Sequence, residues 1–146
     1  MLVGDTLAQN VRRQPDRTGL VFGERRLTWR ELNAGANRIA NALTKLGARP
    51  GDRLVYPLEN SVEFVEIFFG LSKIGVIGAP VMPSSVGREI KHVVDDLDAK
   101  FMIVGQGAKA AVSDISGSLK SVEQVIGIGE HSQPLDYAQL VADASA

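Results

Sequence analysis

The sequence predicts an α/β fold: an N-terminal β-hairpin, then alternating βα units that form a mostly parallel sheet with helices on both faces. After residue 50, short apolar runs alternate with segments of helical periodicity. Residues 76–81 and 101–104 are continuous apolar runs, which is typical of strands buried on both faces of a parallel sheet. Before residue 50, a hairpin pattern leads directly into a capped amphipathic helix.

Residues 19–47 carry the hairpin and its helix. The β-prone residues 20–22 and 27–29 flank Gly23-Glu24, which suits a two-residue turn with glycine first. Thr28 precedes Glu31 by three residues, which is the spacing of a capping box. Gly47 is expected to end the helix. Apolar residues recur at helical period along one face: Leu32, Ala36, Ile39, Ala40, Leu43 and Leu46.

Caps, breakers and periodicity define the remaining elements. Asp5 is expected to cap a short helix over residues 6–13, and Asn60 or Ser61 to cap a helix over residues 62–74. Further strands are expected over residues 53–58, 75–81, 100–104 and 122–127. Further helices are expected over residues 87–97, over residues 110–120, and from Pro134 onward, before a loose tail at residues 142–146.

The helix expected over residues 62–74 is unusually apolar. Its non-apolar residues form one narrow stripe: Glu63, Glu66, Gly70 and Lys73. A helix that is apolar around most of its circumference is expected to be buried on most sides.

The composition is that of a soluble globular protein of one domain: 146 residues, 45% hydrophobic and 23% charged. The absence of cysteine excludes disulfides, thiolate zinc sites and cysteine nucleophiles, and no secretory signal is present, so a cytoplasmic location is expected. A net charge of −1 gives no basis for nucleic-acid binding. No apolar run is long enough to span a bilayer.

Few residues indicate chemistry by their spacing alone. The sequence contains neither a Walker phosphate loop nor a G-x-S-x-G nucleophile elbow. His92 and His131 lack the spacing of metal ligands. The acidic residues Asp95, Asp96 and Asp98 are expected to form a solvated helix end.

One stretch fits a phosphate-binding pattern. Gly105-x-Gly107-x-x-Ala110 follows an apolar strand, as in dinucleotide-binding units, and Glu130 ends the next strand, where an acid meets a ribose in such units. The helix after the glycines is weak, and Glu130 follows Gly105 at a longer spacing than the fingerprint requires. A dinucleotide-binding βαβ unit over residues 101–130 is therefore a lesser hypothesis.

Several segments, in order and spacing, resemble the adenylate-forming (AMP-binding) enzymes, a family that includes acyl-CoA synthetases, adenylation domains of peptide synthetases and luciferases. Leu27-Thr28-Trp29-Arg30-Glu31-Leu32 resembles the first core motif of that family. Residues 51–55 are similar to its Gly-Asp-x-Val strand start, residues 71–80 to its second core motif, and residues 100–104 to the strand that follows. The sequence of residues 21–27 most resembles that of bacterial long-chain fatty-acid–CoA ligases.

The resemblance implies that residues 1–146 are the N-terminal portion of the large adenylation domain of an ATP-dependent fatty-acid–CoA ligase, an enzyme that forms an acyl-adenylate with ATP, Mg²⁺ and CoA. The family's Ser/Thr/Gly-rich phosphate loop, its aromatic-Gly-x-Thr-Glu motif, its ribose-binding Asp and its C-terminal lysine are not in this sequence. The resemblance therefore implies no catalytic residue, no metal ligand and no bound cofactor here, and a fragment without turnover.

Some relatives carry Asn-x-Arg near the phosphates of CoA. This sequence has Met82-Pro83-Ser84-Ser85 at that place and Arg88 later, so Ser84 and Arg88 are weak candidates for a CoA contact, and an exposed Arg88 is the preferred interpretation. The matching motif residues are expected to build the scaffold: Leu27, Thr28, Trp29, Glu31, Leu32, Lys73, Gly75, Gly78 and Pro80.

A second interpretation is a non-catalytic module. An open sheet edge, or the apolar face of the helix over residues 62–74, would favour association of identical chains. A homo-oligomer is therefore expected, whatever the catalytic role of the longer enzyme.

Overall fold

The structure, a computed structural model, describes residues 3–130 and 133–146. It has the predicted α/β class: a two-stranded antiparallel hairpin and a five-stranded parallel sheet, with helices between the strands. The chain divides into two compact units. The first comprises Met1–Pro50, Asn60–Val76 and Val141–Ala146, and the second comprises Gly51–Glu59 and Ile77–Leu140.

The elements follow in this order: α1 (Val3–Arg13), β1 (Thr18–Phe22), β2 (Arg25–Thr28), α2 (Trp29–Lys45), β3 (Arg53–Pro57), α3 (Val62–Ile74), β4 (Ile77–Val81), α4 (Gly87–Leu97), β5 (Phe101–Val104), α5 (Lys109–Ile115), β6 (Gln124–Gly127), β7 (Leu135–Asp136) and α6 (Tyr137–Ala142). Short 3₁₀ turns at Gln106–Ala108 and Ser116–Ser118 flank α5.

The hairpin and α2 form as the sequence predicts. Gly23 takes a left-handed φ of 57° in the two-residue turn between β1 and β2. Thr28 is the N-cap of α2, and both halves of the capping box are present between Thr28 and Glu31. Gly47, with a φ of 92°, follows the C-cap Leu46. The inward residues Leu32, Ala36, Ile39 and Leu43 are at most 2% exposed.

The first unit depends on close contact between α2 and α3. Gly70 is buried, and a Cβ there would lie 2.9 Å from the carbonyl oxygen of Ala36 and would also meet Ile39. Gly35 of α2 lies in the same way against the side chain of Glu66. Two glycines thus allow the two helices to approach closely.

The non-apolar stripe of α3 contacts the hairpin and α2. Glu63 pairs with Arg25 at 3.1 Å, Glu66 lies against Gly35, and Lys73 donates to Asn33 at 2.9 Å. Phe68, which the sequence assigns to the buried side, is 44% exposed. The expectation of burial on most sides is therefore wrong for Phe68, because the stripe side of α3 carries the contacts with the hairpin and α2.

The sheet of the second unit has the strand order β4-β3-β5-β6-β7. Val55, Met102 and Val104 point to one face and form a core with Ile90 and Val94 of α4. The alternate residues Leu54, Tyr56, Phe101 and Ile103 are also at most 1% exposed. Both faces of the central strands β3 and β5 are therefore covered, as their apolar runs predict.

Two expectations about helix starts are corrected. Asp5 does not cap the first helix, because α1 begins at Val3 and Asp5 lies within its first turn. Pro134 does not start the last helix, because residues 135–136 first form the short strand β7, and Asp136 then accepts the backbone N–H of Gln139 at 2.8 Å. The carboxylate of Asp136 thus caps the start of α6.

The strand β4 also differs from its prediction. It begins at Ile77 and not at residue 75, and Pro80 lies inside it and does not end it. β4 is an edge strand with β3 as its neighbour, so it is largely exposed and not buried on both faces. Proline is compatible with an edge strand because an edge N–H has no ladder partner.

The C-terminal tail is in contact with α2 of the same unit. Asn41 donates from its side-chain amide to the carbonyl oxygen of Ser145 at 2.8 Å and to its hydroxyl at 3.1 Å. Lys45 reaches the carbonyl oxygen of Asp143 at 3.4 Å, and Ala144 is 8% exposed. Residues 142–146, expected from the sequence to be loose, therefore make specific contacts.

Candidate functional site

The candidate site is the carboxyl edge of the five-stranded sheet, where ligands bind in open α/β folds. The parallel strands β3, β4, β5 and β6 end there, and the loops that follow each strand within the second unit lie at this edge. These loops contain Ser84, Gly105, Gly107 and Glu130, which the sequence singles out as candidates. They also contain Glu59 and Gln106, which the sequence does not single out as candidates.

Glu59 organises the glycine loop after β5. Its carboxylate accepts the backbone N–H of Gly107. It also lies so close to Gly105 and Gly107 that a Cβ at either position would collide with it. The backbone N–H of Gly105 donates to the carbonyl oxygen of Pro57 at 3.0 Å, which joins the ends of β3 and β5. The glycines therefore accommodate a carboxylate of the protein itself.

Gln106 connects this loop to the end of β6. Its amide nitrogen donates to the carbonyl oxygens of Ile128 and Glu130, each at 2.7 Å. Gly129 between them has a φ of 76°, and a Cβ there would lie 2.6 Å from the Gln106 amide nitrogen. Lys109 also reaches the Glu130 carbonyl oxygen, at 3.3 Å. The loops after β3, β5 and β6 are therefore hydrogen-bonded to one another.

This geometry disfavours a dinucleotide at residues 105–110. A pyrophosphate would need the backbone N–H groups of the glycine loop, but the carboxylate of Glu59 already takes that of Gly107. A 3₁₀ turn and then the seven-residue α5 follow the loop, so no long helix directs its dipole at it. The backbone of Glu130, the residue proposed to meet the ribose, is tied to Gln106.

The two weak CoA candidates are both exposed. Ser84 lies in the loop after β4, and Arg88 lies in the first turn of α4. The neighbouring Pro83 approaches the glycine loop, where a Cβ on Gly107 would lie 3.2 Å from it. Exposure of Arg88 agrees with the preferred interpretation of an ordinary surface residue.

The described residues contain no group of three or more His, Asp or Glu side chains that could hold a metal ion. His92 is exposed on α4, and His131 lies outside the described residues. Asp95 pairs with Lys91, while Arg53 donates to the carbonyl oxygens of Leu97 and Asp98 at the end of α4. Lys91 and Arg53 thus offset the acidic cluster at this helix end.

The first core motif lies in the first unit. Leu32 is 2% exposed and Trp29 packs against the cluster that Leu32 forms with Leu7 and Ala36, while Leu27 is at intermediate exposure. Backbone and side-chain hydrogen bonds from Thr28 hold the pKa of the Glu31 carboxyl below its usual value. These contacts orient the start of α2 and offer no reactive group.

The second core motif spans the end of α3 and β4. Burial lowers the pKa of Lys73, whose ammonium donates to the amide oxygen of Asn33. Gly75 is the C-cap of α3 with a φ of 70°, and a Cβ there would lie 3.2 Å from Pro50. Gly78 and Pro80 lie in the edge strand β4. Gly75 thus ends α3, and the other motif residues lie within α3 and β4.

A shallow cleft lies at the ends of α2 and α3. It encloses about 480 Å³ and is lined by Thr44, Ala48, Pro50, Ser72, Lys73, Ile74 and Gly75. The hydroxyls of Thr44 and Ser72 donate back to carbonyl oxygens of their own helices, so they do not converge on the cleft as donors. None of the helices in the described part of the chain is long and apolar enough to cross a membrane.

An α/β scaffold that carries these two core motifs in this order is that of the first part of an adenylate-forming domain. The profile described as AMP-binding enzyme matches residues 7–145, so the chain belongs to the AMP-binding enzyme family. This confirms the resemblance found in the sequence.

Relatives of this chain include an aryl-CoA ligase and a long-chain acyl-CoA ligase. The chain is 28% identical over 131 residues to the 3-hydroxybenzoate--CoA/4-hydroxybenzoate--CoA ligase of Thauera aromatica, which covers 90% of this chain and 24% of that protein. It is 34% identical over 90 residues to the long-chain-fatty-acid--CoA ligase FadD13 of Mycobacterium tuberculosis, covering 62% of this chain and 18% of that protein. The chain thus spans about a quarter or less of their length.

Solved structures of CoA ligases also match the fold of this chain. The chain matches the anthranilate CoA ligase AuaEII, solved in complex with anthranoyl-AMP, with a TM-score of 0.93 and 28% identity over 99% of this chain and 28% of that chain. It matches the N-terminal domain of FACL13 from Mycobacterium tuberculosis with a TM-score of 0.90 and 28% identity, over 100% of this chain and 37% of that domain. The likeness therefore lies within the N-terminal domain of these ligases.

Proposed function

We propose that this chain is the N-terminal part of an ATP-dependent carboxylate–CoA ligase that works through an acyl-adenylate, with a fatty acid as its acid substrate. The observation that carries the proposal is the family match over residues 7–145. The anthranoyl-AMP bound to one relative supports the adenylate route. The similarity to FadD13 supports a fatty acid, and the hydroxybenzoate ligase makes an aromatic acid the alternative substrate.

The chain alone is proposed to be catalytically inactive and to bind no cofactor. The support for this is that the family's phosphate loop, its aromatic-Gly-x-Thr-Glu motif and its C-terminal lysine do not occur in these 146 residues. No catalytic step is therefore assigned to them. ATP, Mg²⁺ and CoA belong to the complete enzyme, which we place in the cytoplasm.

The first experiment tests inactivity. The purified 146-residue chain is incubated with ATP, Mg²⁺, CoA and either palmitate or benzoate, and pyrophosphate release is measured. We expect no release above the rate without acid, while FadD13, at 34% identity, serves as the active control. Acid-dependent release by the chain alone would overturn the proposal of inactivity.

The second experiment tests whether residues 7–145 can form part of an active ligase. A chimera carries residues 7–145 in place of the corresponding part of FadD13, and acyl-adenylate formation from palmitate is measured. We expect a folded chimera that retains activity, because these residues supply scaffold and not reactive groups. A folded chimera without activity would contradict the proposal, whereas a selective gain with benzoate would favour the aromatic acid.

The dinucleotide hypothesis has its own test. Calorimetric titration of the chain with NAD and with FAD is expected to give no binding heat, because Glu59 already binds the loop. Heat that disappears on Gly107→Ala would favour dinucleotide binding over the ligase proposal.

A further inference from the structure

The strand order of the second unit places a topological switch point between β3 and β5. The next strand in the chain after β3 is β4, its neighbour on one side, whereas the next strand after β5 is β6, which lies on the other side. In open α/β sheets, ligands bind at the carboxyl ends of the strands in the crevice at such a point. The strand order therefore narrows the candidate site to the loops after β3 and β5.

One side chain spans this switch point. Glu59, two residues after the end of β3, accepts the backbone N–H of Gly107 in the loop after β5. The loop after β4 also approaches Gly107, because a Cβ on this residue would lie 3.2 Å from Pro83. The loops that follow three adjacent strands thus meet at Gly107, and the carboxylate of Glu59 supplies a hydrogen bond that joins two of them.

This hydrogen bond acts on the exposed part of the β5 loop and not on its buried ends. Gly105 is buried and bonded to the end of β3, and Ala108 is 0% exposed and belongs to the core of the second unit. Residues 106–107 between them are exposed. The core therefore holds the ends of the loop, whereas Glu59 holds Gly107 towards β3. Removal of the carboxylate is expected to release Gly107 and to leave the core intact.

We propose that Glu59 is a positioning residue of the complete ligase, whose carboxylate holds the loop after β5 across the switch-point crevice in the conformation that contacts substrate. This inference rests on the proposed function. The contact requires an oxygen acceptor of the right length and not a negative charge, because its partner is a neutral backbone N–H. Glutamine keeps that acceptor and alanine removes it, so the two substitutions separate positioning from a direct effect of the charge on the substrate.

Amide hydrogen exchange of the full 146-residue chain tests the contact itself. In Glu59→Ala, the N–H of Gly107 is expected to exchange at least about tenfold faster than in the wild type, because it loses its acceptor. Glu59→Gln is expected to restore most of the protection, since its amide oxygen accepts at the same length. Unchanged exchange in Glu59→Ala would overturn the inference.

Glu123→Gln is the matched control. Glu123 precedes β6, at the opposite edge of the parallel sheet from Glu59, and its side chain is 61% exposed. The same loss of a charge at this place is expected to leave the exchange of Gly107 as in the wild type. Faster exchange in Glu123→Gln equal to that in Glu59→Ala would show a general loosening of the unit and would contradict a specific contact.

The FadD13 chimera that carries residues 7–145 tests the role in the reaction. KM and kcat are measured for ATP, palmitate and CoA, with circular dichroism showing that each variant is folded. In Glu59→Ala, at least one KM is expected to rise by about threefold or more, whereas Glu59→Gln and Glu123→Gln keep the values of the parent chimera. Gly107→Ala adds a Cβ that collides with the Glu59 carboxylate and is expected to act like Glu59→Ala.

The outcomes separate this inference from the proposed function. An inactive parent chimera contradicts the proposed function, and the exchange measurement then decides whether Glu59 holds the loop. An active parent chimera with unchanged constants in Glu59→Ala overturns the positioning role and leaves the ligase function standing. A Glu59→Gln variant as impaired as Glu59→Ala also overturns it, because the charge would then act on the substrate directly.

Discussion

At the scale of single residues, hydrogen bonding between neighbours in sequence decides where α2 begins. The hydroxyl of Thr28 accepts the backbone N–H of Glu31 at 3.2 Å, and the Glu31 carboxylate accepts the backbone N–H of Thr28 at 2.8 Å. Both donors would otherwise be unpaired at the helix start. The first core motif is therefore a capping box with apolar residues around it, and its role is to fix the start of α2.

The pKa of Glu31 makes this cap sensitive to acid. Because hydrogen bonds from Thr28 lower the pKa of Glu31 below its usual value of 4.5, the carboxylate stabilises the fold above that pH. The contribution is expected to be lost as the pH falls from 4.5 through the lower pKa of the folded state. Glu31→Gln should flatten the acid limb of the stability curve, measured by urea unfolding at several pH values.

Glu24→Gln is the control for this prediction. Glu24 is exposed in the hairpin turn and lies outside the capping box, so its replacement is expected to keep the acid limb of the wild type. An acid limb that is equally steep in the wild type and in Glu31→Gln would show that the cap does not cause it.

At the scale of elements, the contact between α2 and α3 depends on glycine. Gly70→Ala is expected to destabilise the protein by about 1–3 kcal/mol, because the added methyl group meets the carbonyl oxygen of Ala36 and the side chain of Ile39. The higher helix propensity of alanine offsets only part of this, by about 1 kcal/mol. The measurement is the midpoint of urea unfolding.

Gly117→Ala provides the comparison. A Cβ at Gly117 would meet nothing within 4 Å, so this substitution is expected to leave the unfolding midpoint nearly unchanged. If Gly70→Ala were as stable as Gly117→Ala, the two helices would not need the close approach.

The sequence predicts the helices better than it predicts their contacts. It predicts the bounds of α3 and α4 because Ser61 and the apolar periodicity are local signals. It does not predict that Gly70 faces α2, because a residue without a side chain has no place in an apolar pattern. Nor does it predict Glu59 at the glycine loop, since that contact joins residues 48 positions apart. Glu59 follows the end of a buried strand, and that position is the signal in the sequence that could have marked it as a candidate site residue.

At the scale of the whole molecule, each compact unit is built from separate stretches of the chain. The strand order β4-β3-β5-β6-β7 is likewise not readable from the sequence, because pairing depends on crossovers and not on neighbouring residues. The predicted class was correct because apolar runs separated by helices specify a parallel sheet, whatever its order. The edge position of β4 follows from that order.

The last residues of the chain belong to the first unit and contact α2. Asn41 on α2 binds Ser145, which lies 104 positions later, and this links the tail to the helix that the capping box starts. Deletion of residues 143–146 removes these two hydrogen bonds, the contact from Lys45 and the burial of Ala144. We expect a loss of about 1 kcal/mol in the free energy of unfolding, because exposed hydrogen bonds contribute little each. Asn41→Ala should reproduce most of that loss, and a deletion that leaves the urea midpoint unchanged would show that the tail is loose, as its sequence suggests.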